Sequence, residues 1–89
     1  MALSVPDDVI TQPVGDEIVL LKFGTGQYYG LDGIGTRMWN LLVEHGDKSH
    51  VIDVLLEEYE VDRASLTRDL DDLVGRLVEQ GLLAHAPPR

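Results

Sequence analysis

The stretch that decides the fold is Glu17–Leu42, which reads EIVLLKFGTGQYYGLDGIGTRMWNLL. Its first part, Glu17–Phe23, is rich in β-branched residues and almost unbroken in hydrophobicity, as a central strand covered on both faces would be. Gly24-Thr25-Gly26 separates this run from a second β-prone run, Gln27–Leu31, and a short glycine-rich loop between two such runs predicts a β-hairpin. Together with the upstream run Val9–Thr11, the stretch predicts an antiparallel three-stranded meander, because sequential strands usually pair with their neighbours.

The sequence changes to helical periodicity after this hairpin. Asp32 is a good N-cap for a first helix, which should end at Gly46, since glycine is the usual residue just beyond a helix C-terminus. Gly33 and Gly35 lie at the start of this helix, where we expect them to allow close packing on the sheet.

Two further helices follow, the second capped by Asp47 or Ser49 and the third running from Asp62 to Gly81. The apolar residues at helical spacing are Ile34, Met38, Trp39, Leu41 and Leu42 in the first helix, Val51, Ile52, Leu55, Leu56 and Tyr59 in the second, and Leu66, Leu70, Leu73, Val74 and Leu77 in the third. Such stripes have to cover an apolar face.

The economical arrangement is an α+β fold, in which the three helices cover one three-stranded antiparallel sheet. We expect a single domain over residues 1–89, with strands at about residues 5–31, helices at about 33–81 and a frayed tail at 85–89. Leu82-Leu83 should add a short final strand or pack on the sheet. The predicted core includes Leu21, Leu31, Trp39, Leu55 and Leu70.

Charge and composition exclude several functions. The 89 residues contain 7 Lys and Arg against 16 Asp and Glu, a net charge of −9, which opposes binding to nucleic acid and to anionic lipid. Cysteine is absent, so thiolate catalysis, disulfides and cysteine-ligated metals are excluded. The chain shows neither an apolar run of membrane-spanning length nor a signal peptide, so we expect a cytoplasmic protein.

Polar groupings that could carry chemistry lack the pattern that chemistry needs. His45, Asp47 and His50 cluster near one helix–helix turn, yet catalytic zinc usually has three protein ligands with further support, so we interpret them as surface residues. The acids Glu57, Glu58 and Glu60 lie on the polar side of the second helix, which indicates a solvated face. We therefore expect no catalytic residues, no metal and no cofactor, and hence a binding protein.

Two features remain that could bind a partner. Residues 57–72 hold seven acids against two arginines, a local charge of −5 that either only solubilises the protein or steers a basic partner. The second feature is the third strand, Gln27–Leu31, which carries neither charge nor proline. The first strand is guarded against strand pairing by Pro6, Pro13, Asp7 and Asp8. The bare third strand is covered by a helix or accepts a peptide as a fourth strand.

The sequence resembles the PqqD-like proteins. The resemblance spans about residues 5–84 and is most specific in the strand–turn–strand–helix segment. Its motifs are Ile18-Val19-Leu20-Leu21, Thr25-Gly26-x-Tyr28-Tyr29-Gly30-Leu31-Asp32-x-Ile34-Gly35-x-x-Met38-Trp39-x-Leu41-Leu42, Val51-x-x-x-Leu55-x-x-x-Tyr59-x-Val61-Asp62, Asp69-Leu70-x-x-Leu73 and Leu77-x-x-x-Gly81-Leu82-Leu83.

This resemblance implies a winged helix-turn-helix-like fold and a role as the recognition element of a ribosomally synthesised, post-translationally modified peptide (RiPP) pathway. PqqD-like domains are not enzymes. They bind the leader segment of a precursor peptide as a strand beside the third strand and against the third helix. They then present it to a modifying enzyme or protease.

The size and the Tyr-Tyr-Gly-Leu-Asp sequence are similar to the stand-alone proteins of lasso peptide biosynthesis. Those proteins work with a separate cysteine-protease leader peptidase, and a cyclase then closes the ring. The alternatives are a PqqD-type peptide chaperone for a radical-SAM or other modification enzyme, and an unrelated protein-binding winged-helix module. The acidic start of the third helix argues against DNA binding.

The expected leader-binding residues lie on the third strand and the third helix. They are Gln27, Tyr28, Tyr29, Gly30, Leu31, Asp69, Asp72, Leu73 and Arg76. Tyr28 and Tyr29 must face opposite sides of the sheet, and the sequence does not fix which one packs in the core. Gly30 either leaves room for a bulky leader side chain or marks a β-bulge. We expect the leader to be basic where it meets Asp69 and Asp72.

Overall fold

The computed structural model describes residues 3–85, and it has the predicted α+β architecture. Its strands are β1 (Leu3–Ser4), β2 (Val9–Val14), β3 (Glu17–Lys22), β4 (Gln27–Leu31) and β5 (Ala84–His85). Its helices are α1 (Gly33–His45), α2 (Lys48–Glu58) and α3 (Arg63–Glu79). The three-stranded antiparallel sheet has the order β2-β3-β4, so the predicted meander followed by three helices is confirmed. The predicted tail at 85–89 differs at its first position, because His85 belongs to β5, and positions 86–89 lie outside the described residues.

The strands differ from the prediction at two places. β2 continues past Thr11 to Val14 and includes Pro13, which an edge strand tolerates because its outward position needs no N–H. The final strand is formed by Ala84–His85, and it pairs with Leu3–Ser4. Leu82 and Leu83 are instead buried in the core.

Side-chain caps fix where the helices begin. Asp32 accepts a hydrogen bond from the Gly35 N–H at 2.8 Å, and Asp62 accepts one from the Ser65 N–H at 2.9 Å. α1 ends at Gly46, whose φ of 69° is the left-handed conformation that glycine adopts without strain. These boundaries agree with the capping residues that the sequence predicts. α2 ends at Glu58, one residue before Tyr59, which is an exposed side chain outside the core.

The helices cover one face of the sheet, and the core lies between the helices and that face. Of the predicted core residues, Leu31, Trp39, Leu55 and Leu70 are buried. Leu21 is the exception, because its neighbour Leu20 points into the core and is 0 % exposed. Successive side chains of a strand face opposite sides of the sheet, so only one of these two leucines can be buried.

The opposite face of the sheet is bare within residues 3–85, which corrects the prediction that the central strand is covered on both faces. We call this surface the outer sheet face. Its apolar members, which alternate with buried positions along the strands, are Ile10, Val14, Val19, Leu21, Phe23 and Tyr28. Ile10, Val14, Phe23 and Tyr28 are exposed, and Val19 and Leu21 are half-buried.

Candidate functional site

A groove of about 260 Å³ runs between β4, α3 and the start of α1. It brings together seven of the nine residues expected to bind a leader peptide, namely Tyr29, Gly30, Leu31, Asp69, Asp72, Leu73 and Arg76. Gln27 and Tyr28 lie outside its lining. Gln27 nevertheless marks one end of the groove, because its side-chain amide donates a hydrogen bond to the Gln80 side chain just beyond α3.

The α3 wall follows from helical periodicity. Asp69, Asp72, Leu73 and Arg76 are spaced by three, four and seven residues, so they share one face of the helix. Leu73 is buried and forms the apolar part of this wall, whereas the three charged side chains are exposed. The Arg76 Nε donates a hydrogen bond to the Asp72 carbonyl oxygen at 3.4 Å. Within residues 3–85 none of these three charges forms a salt bridge, so they are available to a ligand.

The start of α1 forms a wall that the sequence prediction missed. It contributes Asp32, Ile34, Gly35 and Met38. Ile34 was expected in the core because it shares an apolar stripe with Met38, but it is 39 % exposed beside the groove. The apolar stripe is the only sequence signal for this wall. It shows that the helix has an apolar face, but it does not show where that face extends beyond the core.

Gly35 allows α1 to approach β4 closely. A Cβ atom at this position would lie 3.1 Å from the Asp32 Oδ1 and 3.5 Å from the Leu31 Cβ, so the expected close packing is confirmed there. The same expectation is wrong for Gly33, where an added Cβ would meet nothing within 4 Å. The Thr36 hydroxyl also links α1 to the sheet through two hydrogen bonds. It accepts from the Ile18 N–H at 3.1 Å and donates to the Leu31 carbonyl at 3.2 Å.

The backbone of β4 offers hydrogen bonds to an added strand at alternate residues. The Phe23 N–H donates to the Asp8 carbonyl at 2.8 Å, which fixes the alternation along β3. Residues 17, 19 and 21 of β3 are thereby directed to β2, as Phe23 is just beyond the strand, and residues 18, 20 and 22 are directed to β4. In the register of β3 and β4, the backbone N–H and C=O groups of residues 27, 29 and 31 point towards β3. The N–H and C=O groups of Tyr28 and Gly30 consequently point to the open edge.

The two tyrosines occupy the two faces of β4, as alternation requires. Tyr29 is half-buried against the core and lines the groove, whereas Tyr28 is 73 % exposed on the outer sheet face. Gly30 pairs with Val19 in an unbroken register, which excludes a bulge. A Cβ added at Gly30 would meet nothing within 4 Å, so space for a neighbouring side chain is open on that side.

A second cleft, of about 550 Å³, lies at the opposite edge between β2 and α1. Its lining includes Val5, Trp39 and Val43. Although it is larger, it is the poorer site for an added strand, because Pro13 offers no N–H at this edge and Asp7 is exposed two residues before β2.

The other polar groupings form contacts between α1 and α2. The imidazole rings of His45 and His50 stack with centroids 4.1 Å apart, and no group of three or more possible metal ligands forms among residues 3–85. Glu58 pairs with Arg37, and this hydrogen bond lowers the pKa of the glutamate. None of the helices in the described part is long and apolar enough to cross a membrane.

Comparison with known proteins identifies the family. The profile of PqqD, the coenzyme PQQ synthesis protein D, matches residues 17–83. The chain therefore belongs to the PqqD family, as its sequence motifs predict. No curated protein matches the chain.

Two solved structures share the fold over almost their whole length. TbiB1 in complex with the TbiA(β) leader peptide is 38 % identical, with a TM-score of 0.87 and coverage of 96 % of this chain and 99 % of TbiB1. A lasso peptide synthetase B1 complexed with its leader peptide is 25 % identical, with a TM-score of 0.88 and coverage of 96 % and 100 %. The predicted similarity to a recognition element of lasso peptide biosynthesis is thus confirmed.

Proposed function

We propose that this protein binds the leader segment of a ribosomally synthesised precursor peptide as an additional strand on β4. The observation that carries the proposal is the combination of an open edge at Tyr28 and Gly30 with the groove directly beside it. Both solved relatives are complexes with leader peptides, which supports the same kind of ligand here.

The two parts of the site have different tasks. Backbone hydrogen bonds to Tyr28 and Gly30 provide affinity for an extended peptide and depend little on its sequence. Specificity comes from side chains that enter the groove, where Leu73, Met38 and Tyr29 offer apolar contact. Asp69 and Asp72 favour a basic leader residue near α3, whereas Arg76 favours an acidic residue or a carbonyl oxygen one turn further along.

The protein then acts by presentation and not by catalysis. The bound leader is delivered to a separate cysteine-protease leader peptidase of a lasso peptide pathway, and a cyclase acts on the released core peptide. Residues 1–89 form one recognition domain in this scheme, which requires neither metal nor cofactor and operates in the cytoplasm. The acidic composition supports a peptide ligand over a nucleic acid, because phosphate binding requires a basic surface.

A fluorescence-polarisation titration with the labelled leader of the same gene cluster tests this function, using Gly30→Pro and Gly30→Ala as a matched pair. Proline removes the outward N–H, and its ring obstructs the edge, while alanine keeps the N–H and meets nothing within 4 Å. Losing one hydrogen bond costs about 1 kcal/mol, so we expect Gly30→Pro to raise Kd about fivefold or more. Gly30→Ala should bind almost as wild type. Equal affinity of both variants, with circular dichroism showing both folded, would refute binding at this edge.

A further inference from the structure

Lys22 joins three parts of the fold at the end of the sheet next to the β3–β4 turn. It is the last residue of β3, and its side chain is only 20 % exposed. Its Nζ lies 2.9 Å from the Asp8 Oδ2, in the turn before β2, and it donates a hydrogen bond to the Gly81 carbonyl oxygen at 3.0 Å. A largely buried ammonium group therefore connects β3 to the segment that follows α3.

Gly81 provides the space for this contact. Its φ is 75°, and a Cβ atom at this position would lie 3.1 Å from the Lys22 Nζ and 3.2 Å from the Lys22 Cε. A side chain at position 81 would thus displace the ammonium group or shift the segment itself. Hydrogen bonds from a charged donor are stronger than those between neutral groups, so this bond is a firm link between the sheet and the end of α3.

A second link runs beside the first. Gln27 pairs with Lys22 across the β3–β4 hairpin, and its side chain donates a hydrogen bond to the Gln80 side chain. Two paired positions of the hairpin therefore hold two consecutive residues beyond α3. Both links lie at one end of the leader groove, because Arg76, in the α3 wall of that groove, is one helical turn before Gln80.

Apolar packing beneath α3 does not provide the same positional control. Leu77 and Leu82 are fully buried at this end of the helix. Their burial stabilises the contact with the sheet, but the hydrophobic effect is non-directional. A hydrogen bond has a preferred length and angle, so the bond from Lys22 to Gly81 fixes how far along β4 the end of α3 lies.

We propose that Lys22 is a positioning residue for leader binding, which sets the position of α3 against β4 through its bond to the Gly81 carbonyl. This inference rests on the proposed leader binding and adds a residue that does not itself line the groove. The edge groups of Tyr28 and Gly30 bind the leader backbone while α3 contacts the leader side chains, so both have to fit one peptide at once. A displacement of about 1 Å is enough to loosen such a site.

The test measures leader affinity by fluorescence polarisation for variants of the full chain. Lys22→Met keeps the apolar stem but lacks a donor, whereas Lys22→Arg retains donors. Asp8→Asn breaks the ion pair and leaves the bond to Gly81 in place. Asp47→Ala is the control for a loss of stability, because it removes the cap hydrogen bond from the Ser49 N–H at 3.0 Å and Asp47 does not line the groove. Each titration is made at a temperature at which circular dichroism shows the variant folded.

We expect Lys22→Met to raise the leader Kd about fivefold or more, the scale of one lost hydrogen bond, and Lys22→Arg, Asp8→Asn and Asp47→Ala to stay within about twofold of wild type. Gly81→Ala perturbs the same bond from its other end and should weaken binding in the same way as Lys22→Met.

A wild-type Kd in both Lys22→Met and Gly81→Ala overturns the proposal. It is also overturned if Lys22→Arg binds no better than Lys22→Met, or if Asp8→Asn or Asp47→Ala weakens binding equally, since the cause would then be the turn before β2 or lost stability. Wild-type protein that binds no leader refutes the proposed function itself, whereas equal binding by wild type and Lys22→Met refutes only the positioning role.

Discussion

Replacing Leu20 and Leu21 separately by alanine tests the packing of the sheet with two chemically identical substitutions on adjacent residues. Leu20 is 0 % exposed beneath the helices, whereas Leu21 is half-buried on the outer sheet face. Leu20→Ala removes buried methyl groups and leaves a cavity, which costs about 2–5 kcal/mol. Leu21→Ala loses only partly buried surface and leaves no enclosed cavity, so we expect the unfolding free energy to fall by about 1 kcal/mol.

The expected cost of Leu20→Ala is large relative to the unfolding free energy of so short a chain. At roughly 0.05–0.15 kcal/mol per residue, 89 residues give an unfolding free energy of about 4–13 kcal/mol. In urea, with an m-value of about 1 kcal/mol/M, the midpoint should fall by at least about 2 M for Leu20→Ala and by about 1 M for Leu21→Ala. Circular dichroism and tryptophan fluorescence at Trp39 follow the same transition. Equal midpoints, or a lower midpoint for Leu21→Ala, would refute the assignment of the two faces.

Two further predictions concern charge. Asp69→Lys and Asp72→Lys should each weaken leader binding by up to about fivefold, since exposed charge pairs contribute about 0–1 kcal/mol, and the loss should shrink at high salt. An unchanged Kd for both variants in fluorescence polarisation would reject a basic leader segment at α3. The hydrogen bond from the Ser65 N–H lowers the pKa of Asp62, so its ionised form stabilises the folded state above the unfolded pKa of about 3.9. This contribution is lost as pH falls through the lowered folded pKa, so the stability gap between wild type and Asp62→Ala in urea should be constant from pH 6 to 8 and close below about pH 4. A gap that widens in acid would contradict the capping role.

Periodicity was sufficient to predict the three-stranded meander, the three helices and one wall of the site. The spacing of Asp69, Asp72, Leu73 and Arg76 places them on one helix face from sequence alone. The lack of charge and proline on β4 singled this strand out, but it left open whether a helix covers the edge or a peptide adds to it. The α1 wall could not be predicted in this way. Ile34 has the periodicity of a core residue, and only the position of α1 against β4 determines that it borders the groove.

The wrong prediction for the two faces of β3 also has a physical reason. Both faces of this strand are apolar, so alternation yields two sets of residues without indicating which set faces the helices. The apparent signal for a strand covered on both sides came from Val19 and Leu21, which belong to the outer sheet face. The pairing of Leu3–Ser4 with Ala84–His85 joins two-residue strands from distant parts of the chain, and so short a strand carries no local pattern.

Amide hydrogen exchange of the protein with and without saturating leader tests the central claim most directly. The N–H groups of Tyr28 and Gly30 point to the open edge of β4, so both should exchange rapidly in the free protein and slow strongly when the leader is bound. Tyr29 bonds inward to β3 and should change little, and Thr11, whose N–H points to the opposite edge, should stay unprotected. Leader-induced protection at Thr11, or none at Tyr28 and Gly30 despite saturation, would contradict strand addition to β4.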